Sequence, residues 1–110
     1  MDKKDKENRL LATAFDLFTK KGVNNTSIQD IADSAGVGKG TFYLYFKDKY
    51  DIRDKVIANC SSKLFSDALV ALENSYIQNF EDQIIYIINY ILKELNKNKI
   101  LLKLISKNLS

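Results

Sequence analysis

The chain has no proline, histidine or tryptophan, a single cysteine and only four glycines in 110 residues. Each absence removes a class of answer. Without proline, and with three of the four glycines inside residues 36–40, turn signals concentrate at one place and helices should run unbroken elsewhere. Without histidine, the commonest general acid–base group and metal ligand is missing. Lone Cys60 excludes an internal disulfide, has no base beside it, and stands four residues from both Val56 and Leu64, so it reads as a buried structural thiol on an apolar stripe. No phosphate loop follows a strand. Enzymatic chemistry is therefore not expected, nor is a metal or any other cofactor.

Long apolar runs are also scarce. The longest, IIYIINYIL from Ile84 to Leu92, is far short of the roughly 20 residues that cross a bilayer. The opening MDKKDKENRL carries charge where a signal peptide needs an apolar stretch, so no export and no membrane are expected and the location reads as cytoplasmic. Charge of one sign is nearly balanced too: the net value is +3. Residues 1–57 hold eleven Lys or Arg against nine Asp or Glu, a balance of only +2. Bulk charge permits an anionic partner without requiring one, so a nucleic-acid reading must rest on where individual donors stand.

What is present is a folded-protein composition, 45% hydrophobic and 28% charged, arranged with helical periodicity. The fold class is all-α. Leu10, Leu11, Ala14, Phe15 and Phe18 recur at spacings of three and four and predict a first helix over about Asp5 to Lys21, ended by Lys20, Lys21 and a left-handed Gly22. In Thr26-Ser27-Ile28-Gln29 a hydroxyl residue precedes Gln29 by three positions, which predicts a capping box and a short second helix carrying Ile28, Ile31, Ala32 and Ala35. Gly36 stops it, and a third short segment begins around Gly38. Two brief helices joined by a tight glycine turn form the helix-turn-helix layout.

Asp48 then caps a long fourth helix, with Ile52, Val56, Cys60, Leu64, Ala68 and Leu72 every fourth residue, Ile57 and Phe65 widening the stripe, and an end near Asn74. Phe80, Ile84, Ile87, Ile88, Ile91 and Leu95 predict a fifth helix; Ile100, Leu101, Leu104 and Ile105 begin a sixth. The organisation expected is a three-helix, homeodomain-like helix-turn-helix head over residues 1–50, then a connecting helix and an incomplete helical body over residues 51–110.

The stretch GVGKGTFYLYF, from Gly36 to Phe46, carries the chemistry. Gly38 and Gly40 are poor helix formers, each costing roughly 0.5–1 kcal/mol relative to alanine, yet small residues let a helix come close to a duplex. Lys39 reaches a guanine edge or a phosphate, and Thr41 offers a hydroxyl and a methyl to base edges. Phe42 and Phe46 have no polar atom and read as core. Tyr43 and Tyr45 are amphipathic, able to rest a ring on the protein while the hydroxyl donates to a phosphate oxygen. Lys49 opens the fourth helix as a cation facing the same backbone. Thr26 and Ser27 stand where the free amides and positive dipole end of the second helix attract phosphate.

These residues, with FDLFTKKGVNNT before them, resemble the DNA-binding domain of the TetR family of bacterial transcriptional regulators. Thr26, Ser27, Ile31, Ala32, Ala35, Gly36, Val37, Lys39, Gly40, Thr41, Phe42, Tyr43, Tyr45, Phe46, Lys49 and Ile52 stand in register with that family's pattern. The resemblance is specific over about residues 8–57 and architectural beyond. It implies a DNA-binding head followed by a helical body that dimerises and binds a small inducer. Phosphate contacts are then implied for Thr26 or Ser27, Tyr43, Tyr45 and Lys49, and base contacts for Lys39, Gly40 and Thr41, together with Gln29. Gly38 occupies a place often filled by serine, which removes a hydroxyl contact there.

The function implied is a sequence-specific, ligand-released repressor acting as a homodimer on a palindromic double-stranded DNA operator. Family members ordinarily continue further, so the chain is expected to be a truncated form, a proteolysed one or a short member, with the apolar faces of its fifth and sixth helices requiring a partner. The alternative is a helical protein-interaction module derived from such a regulator, using those two helices as its contact surface.

Overall fold

The structure is a computed structural model and describes residues 3–97, 99 and 102–104. Five helices follow in order: α1 (Lys3–Lys21), α2 (Ile28–Ala35), α3 (Lys39–Tyr45), α4 (Lys49–Ser75) and α5 (Phe80–Lys97). No strand occurs among the described residues. The sixth helix expected from Ile100 falls largely outside them, although residues 102–104 are helical. The chain divides into two compact units, Met1–Ala58 and Asn59–Ser110, so the division lies within α4.

The first unit is the head. One face of α1 buries Leu10, Ala14 and Phe18, the 3.6-residue periodicity placing them on a single stripe. They share a core with Ile31, Ala32 and Ala35 of α2, Phe42 of α3, Phe46, and Ile52 and Val56 of α4. Helix α1 packs on α2, and α2 on α3. Phe42 and Phe46 are sealed, at 0% and 1% exposure, with ring centroids 5.6 Å apart. Burying Phe42 on α3 and Phe46 at its C-cap contributes several kcal/mol, at roughly 1.5–3 kcal/mol each, far more than seven residues gain from helix propensity. That burial is what holds α3 in place.

The chain's turns are set by local chemistry. Helix α1 ends at Gly22, whose φ of 86° is left-handed and whose amide donates to the Phe18 carbonyl at 3.0 Å. Helix α2 ends at Gly36 with φ 73°, its amide donating to the Ala32 and Asp33 carbonyls. Its start corrects the expected capping box by one residue: the N-cap is Ser27, whose hydroxyl accepts from the Asp30 amide while Asp30 Oδ2 accepts from the Ser27 amide, both at 3.0 Å. Aspartate, one methylene shorter than Gln29, closes this box because it stands three residues after the true cap.

In the second unit α4 and α5 are joined through Tyr76, which takes φ 61°. Asn79 Oδ1 accepts from the Asp82 amide and starts α5, and the Gln83 side chain donates to the Ile77 carbonyl at 2.8 Å. Ala68 is fully buried, whereas Phe65, placed on the α4 stripe by periodicity, is half exposed. Helix α5 buries none of its residues: Phe80 is 72% exposed, and Ile84, Ile85, Ile88 and Leu92 are exposed as well. Cys60 is half-buried rather than buried; desolvation pushes its thiol up, against the opposing Lys63 charge. No described helix is long and apolar enough to cross a membrane.

Candidate nucleic-acid interface

Helix α3 divides its side chains sharply. Phe42 points into the core, while Gly38, Lys39, Gly40, Tyr43 and Leu44 are exposed and Thr41 is half-buried. Gly38 is the N-cap of α3 rather than its first residue, extended at φ −80° and ψ 158°, and it contributes no side-chain cap. Its carbonyl accepts the Thr41 and Phe42 amides at 3.1 and 3.3 Å. A Cβ added at Gly38 or Gly40 would meet no protein atom within 4 Å, and neither glycine is left-handed. Among the described residues nothing requires glycine at either place, although at Gly40, inside the helix, almost any other residue is preferred. Both open a flat, close-approach surface beside Lys39, whose ammonium makes no hydrogen bond or ion pair with a described residue.

The tyrosines behave as amphipathic rings. Tyr43 is half exposed and its ring meets Phe42 edge-on at 5.5 Å. Tyr45 is half-buried, its ring 6.4 Å from Phe46. Core phenylalanines thus brace both rings, as a tyrosine offering its hydroxyl outward requires.

Other residues expected at this surface are occupied within the protein. Thr26 is 1% exposed, and its hydroxyl donates to the Gly22 carbonyl at 2.7 Å. It cannot also meet a phosphate, which leaves Ser27, exposed at the cap, as the hydroxyl at the start of α2. Lys49 is half-buried and turned inward, its ammonium donating to the Val23 and Thr26 carbonyls at 3.0 and 3.2 Å. Gln29 is exposed, and its amide nitrogen donates to Asp33 Oδ1 at 2.7 Å, which fixes which way the amide faces.

One residue escaped the sequence reading. Lys47, in the bend between α3 and α4, is exposed; its backbone amide donates to Asp51 Oδ2 at 2.8 Å and its charge acts on the same carboxylate. Being outside any helix, it had no periodicity to mark it. Asp48 Oδ1 in turn accepts the Asp51 amide at 2.9 Å and caps α4. The Lys47 amide, then the Lys55 ammonium, hold the Asp51 carboxyl below the ordinary range despite some desolvation. Asp30 is held low likewise, first by the Ser27 amide and then by the Lys21 ammonium at 3.0 Å, a pair joining the end of α1 to the first turn of α2.

Comparison with known proteins places this arrangement. The family profile described as bacterial regulatory proteins, tetR family, matches residues 10–56. An HTH-type transcriptional regulator of Staphylococcus aureus is 34% identical over 104 residues, covering 94% of this chain and 55% of the relative. The uncharacterized HTH-type transcriptional regulator YuxN of Bacillus subtilis is 48% identical over 46 residues, 42% of this chain and 16% of its own length. Among solved structures, a TetR-family transcriptional regulator from Syntrophomonas wolfei superposes with a TM-score of 0.69 at 28% identity, over 94% of this chain and 52% of that one. The chain thus spans about half the length of the longer-matching relatives. With a matched helix-turn-helix profile, relatives that are transcriptional regulators rather than enzymes, and the same all-α architecture, residues 10–56 form a DNA-binding head of the tetR family of bacterial transcriptional regulators.

Proposed function

We propose that the head binds double-stranded DNA, with α3 in the major groove, and that the protein is a repressor acting as a homodimer on a two-fold operator and released by a small ligand. The observation that carries the reading is the outer surface of α3. Two glycines with open space above them flank an uncommitted lysine ammonium, Tyr43 stands beside them, and two buried phenylalanines fix the helix from behind. Lys39 and Thr41 are the base-edge donors, with Gly38 and Gly40 allowing the close approach. Tyr43, Tyr45, Ser27 and Lys47 stand toward phosphates, and Gln29 offers its carbonyl oxygen from α2.

In a homodimer two copies of α3 would enter successive major grooves about 34–36 Å apart. The body beginning at residue 51 would supply the dimer contacts and the ligand site. A cytoplasmic location follows from the partner. The test is selection of bound fragments from random DNA, run beside sedimentation. A recovered two-fold sequence, bound by twice the chain's mass with affinity falling steeply as salt rises, is the expected result. Binding that is indifferent to salt, or no enrichment of any sequence, would refute it and leave a protein-interaction role for the exposed face of α5.

A further inference from the structure

Leu44 is 78% exposed, the most exposed large apolar side chain among the described residues of the head. The other two that stand exposed there, Tyr43 and Tyr50, carry a hydroxyl, whereas leucine has no polar atom. A lone exposed leucine is ordinary on a protein surface, so its position has to carry the argument. At about 100° per residue, the helix positions two before and two after Phe42 lie within about 20° of the direction opposite its buried ring. Those positions are Gly40 and Leu44. Lys39 and Tyr43 fall along one flank of that line, Thr41 and Tyr45 along the other. The middle of the outward face of α3 therefore has no polar side chain: a bare backbone at Gly40, then an isobutyl group one turn later.

The flanks supply donors to a duplex, and the middle supplies apolar surface. At Gly40 even an added Cβ would have no protein atom within 4 Å, so the helix can lie close to the bases where the leucine follows. Base edges in the major groove are hydrogen-bonding groups with one exception, the C5 methyl of thymine. A leucine packed on that methyl takes two apolar groups out of water and leaves no polar atom unpaired. Against the edge of a G·C pair the same leucine would displace water from donors and acceptors and return no hydrogen bond. We infer that Leu44 is a specificity-determining residue, reading a thymine of the bound duplex by packing on its C5 methyl. The inference rests on the DNA-binding reading of α3 and deepens it, from the groove entered to a base demanded there.

The test uses duplexes that the full chain selects from random DNA, remade with each thymine in turn replaced by deoxyuridine, which removes the methyl and nothing else. Affinity of the parent should fall about fourfold at one thymine, the worth of one methyl group taken out of water. Leu44→Ala should bind the unmodified duplex about as weakly and should no longer distinguish thymine from deoxyuridine at that position. Its affinity for mixed-sequence duplex should match the parent's, because phosphate contacts are untouched. Its unfolding temperature should equal or slightly exceed the parent's, since the side chain is exposed and alanine is the better helix former. A parent indifferent to deoxyuridine at every thymine would overturn the proposal, and so would a Leu44→Ala protein that keeps the same thymine preference. A lowered unfolding temperature would overturn it too, making Leu44 a packing residue. If the parent selects no duplex, the DNA reading of α3 falls and this inference with it; if it selects one without sensitivity to the methyl, the inference falls alone.

Discussion

Replacing Gly40 by alanine separates what the protein needs to fold from what it needs to bind. Gly40 is the second residue of α3, in ordinary helical backbone, and an added Cβ would have no protein atom within 4 Å. The free protein should therefore gain the whole propensity difference, about 0.5–1 kcal/mol. For a domain of this size that raises the unfolding temperature by roughly 2–8 °C. The same methyl would stand between α3 and the groove. Overpacking a close contact costs about 1–3 kcal/mol, which corresponds to roughly 5- to 150-fold weaker DNA binding. Thermal unfolding followed by circular dichroism and a gel-shift titration on one preparation measure both. A variant that is more stable and binds DNA as well as the parent would refute the close-approach reasoning, and a less stable one would refute the account of α3 as an unobstructed helix.

Phe42→Ala should destabilise the head by about 3–5 kcal/mol, enough to leave it largely unfolded by circular dichroism, because the ring is fully buried. Lys39→Ala should cost about 1–3 kcal/mol on a selected sequence and relax base preference in a repeated selection. Tyr43→Phe, by contrast, should weaken selected and mixed-sequence duplexes alike, and loss confined to the selected sequence would make Tyr43 a base reader. Asp30 and Asp51 have carboxyls held below their unfolded value, so their stabilisation is complete above that value and is lost as pH falls through the folded one. The unfolding temperature should accordingly decline as pH drops below about 4, and Asp51→Asn should flatten that decline.

Much of this was legible in the chain. Helical periodicity identified α1, α2, α4 and α5 because each repeats apolar residues at one spacing, and the glycine cluster placed the turn before α3. Phe42 and Phe46 read as core because rings without a polar atom have nowhere better to go. The open surface around Gly38, Lys39 and Gly40 was readable for the complementary reason, since a helix that spends two glycines without a turn to make has another use for the space. Polar side chains were harder. Thr26 and Ser27 are adjacent hydroxyls at the start of one helix, and only packing decides that the first turns inward to Gly22 while the second caps α2.

Lys49 makes the same point over a longer distance. A lysine opening a helix looks free in sequence, because the carbonyls that receive it belong to a turn 23 and 26 residues away. Local sequence determines where helices start, which stripe is apolar and where the backbone can turn, since those are settled by nearest neighbours and by the period of the helix. The destination of a long charged side chain depends on which carbonyls the fold happens to bring within its reach, and so it was decided only by the tertiary structure.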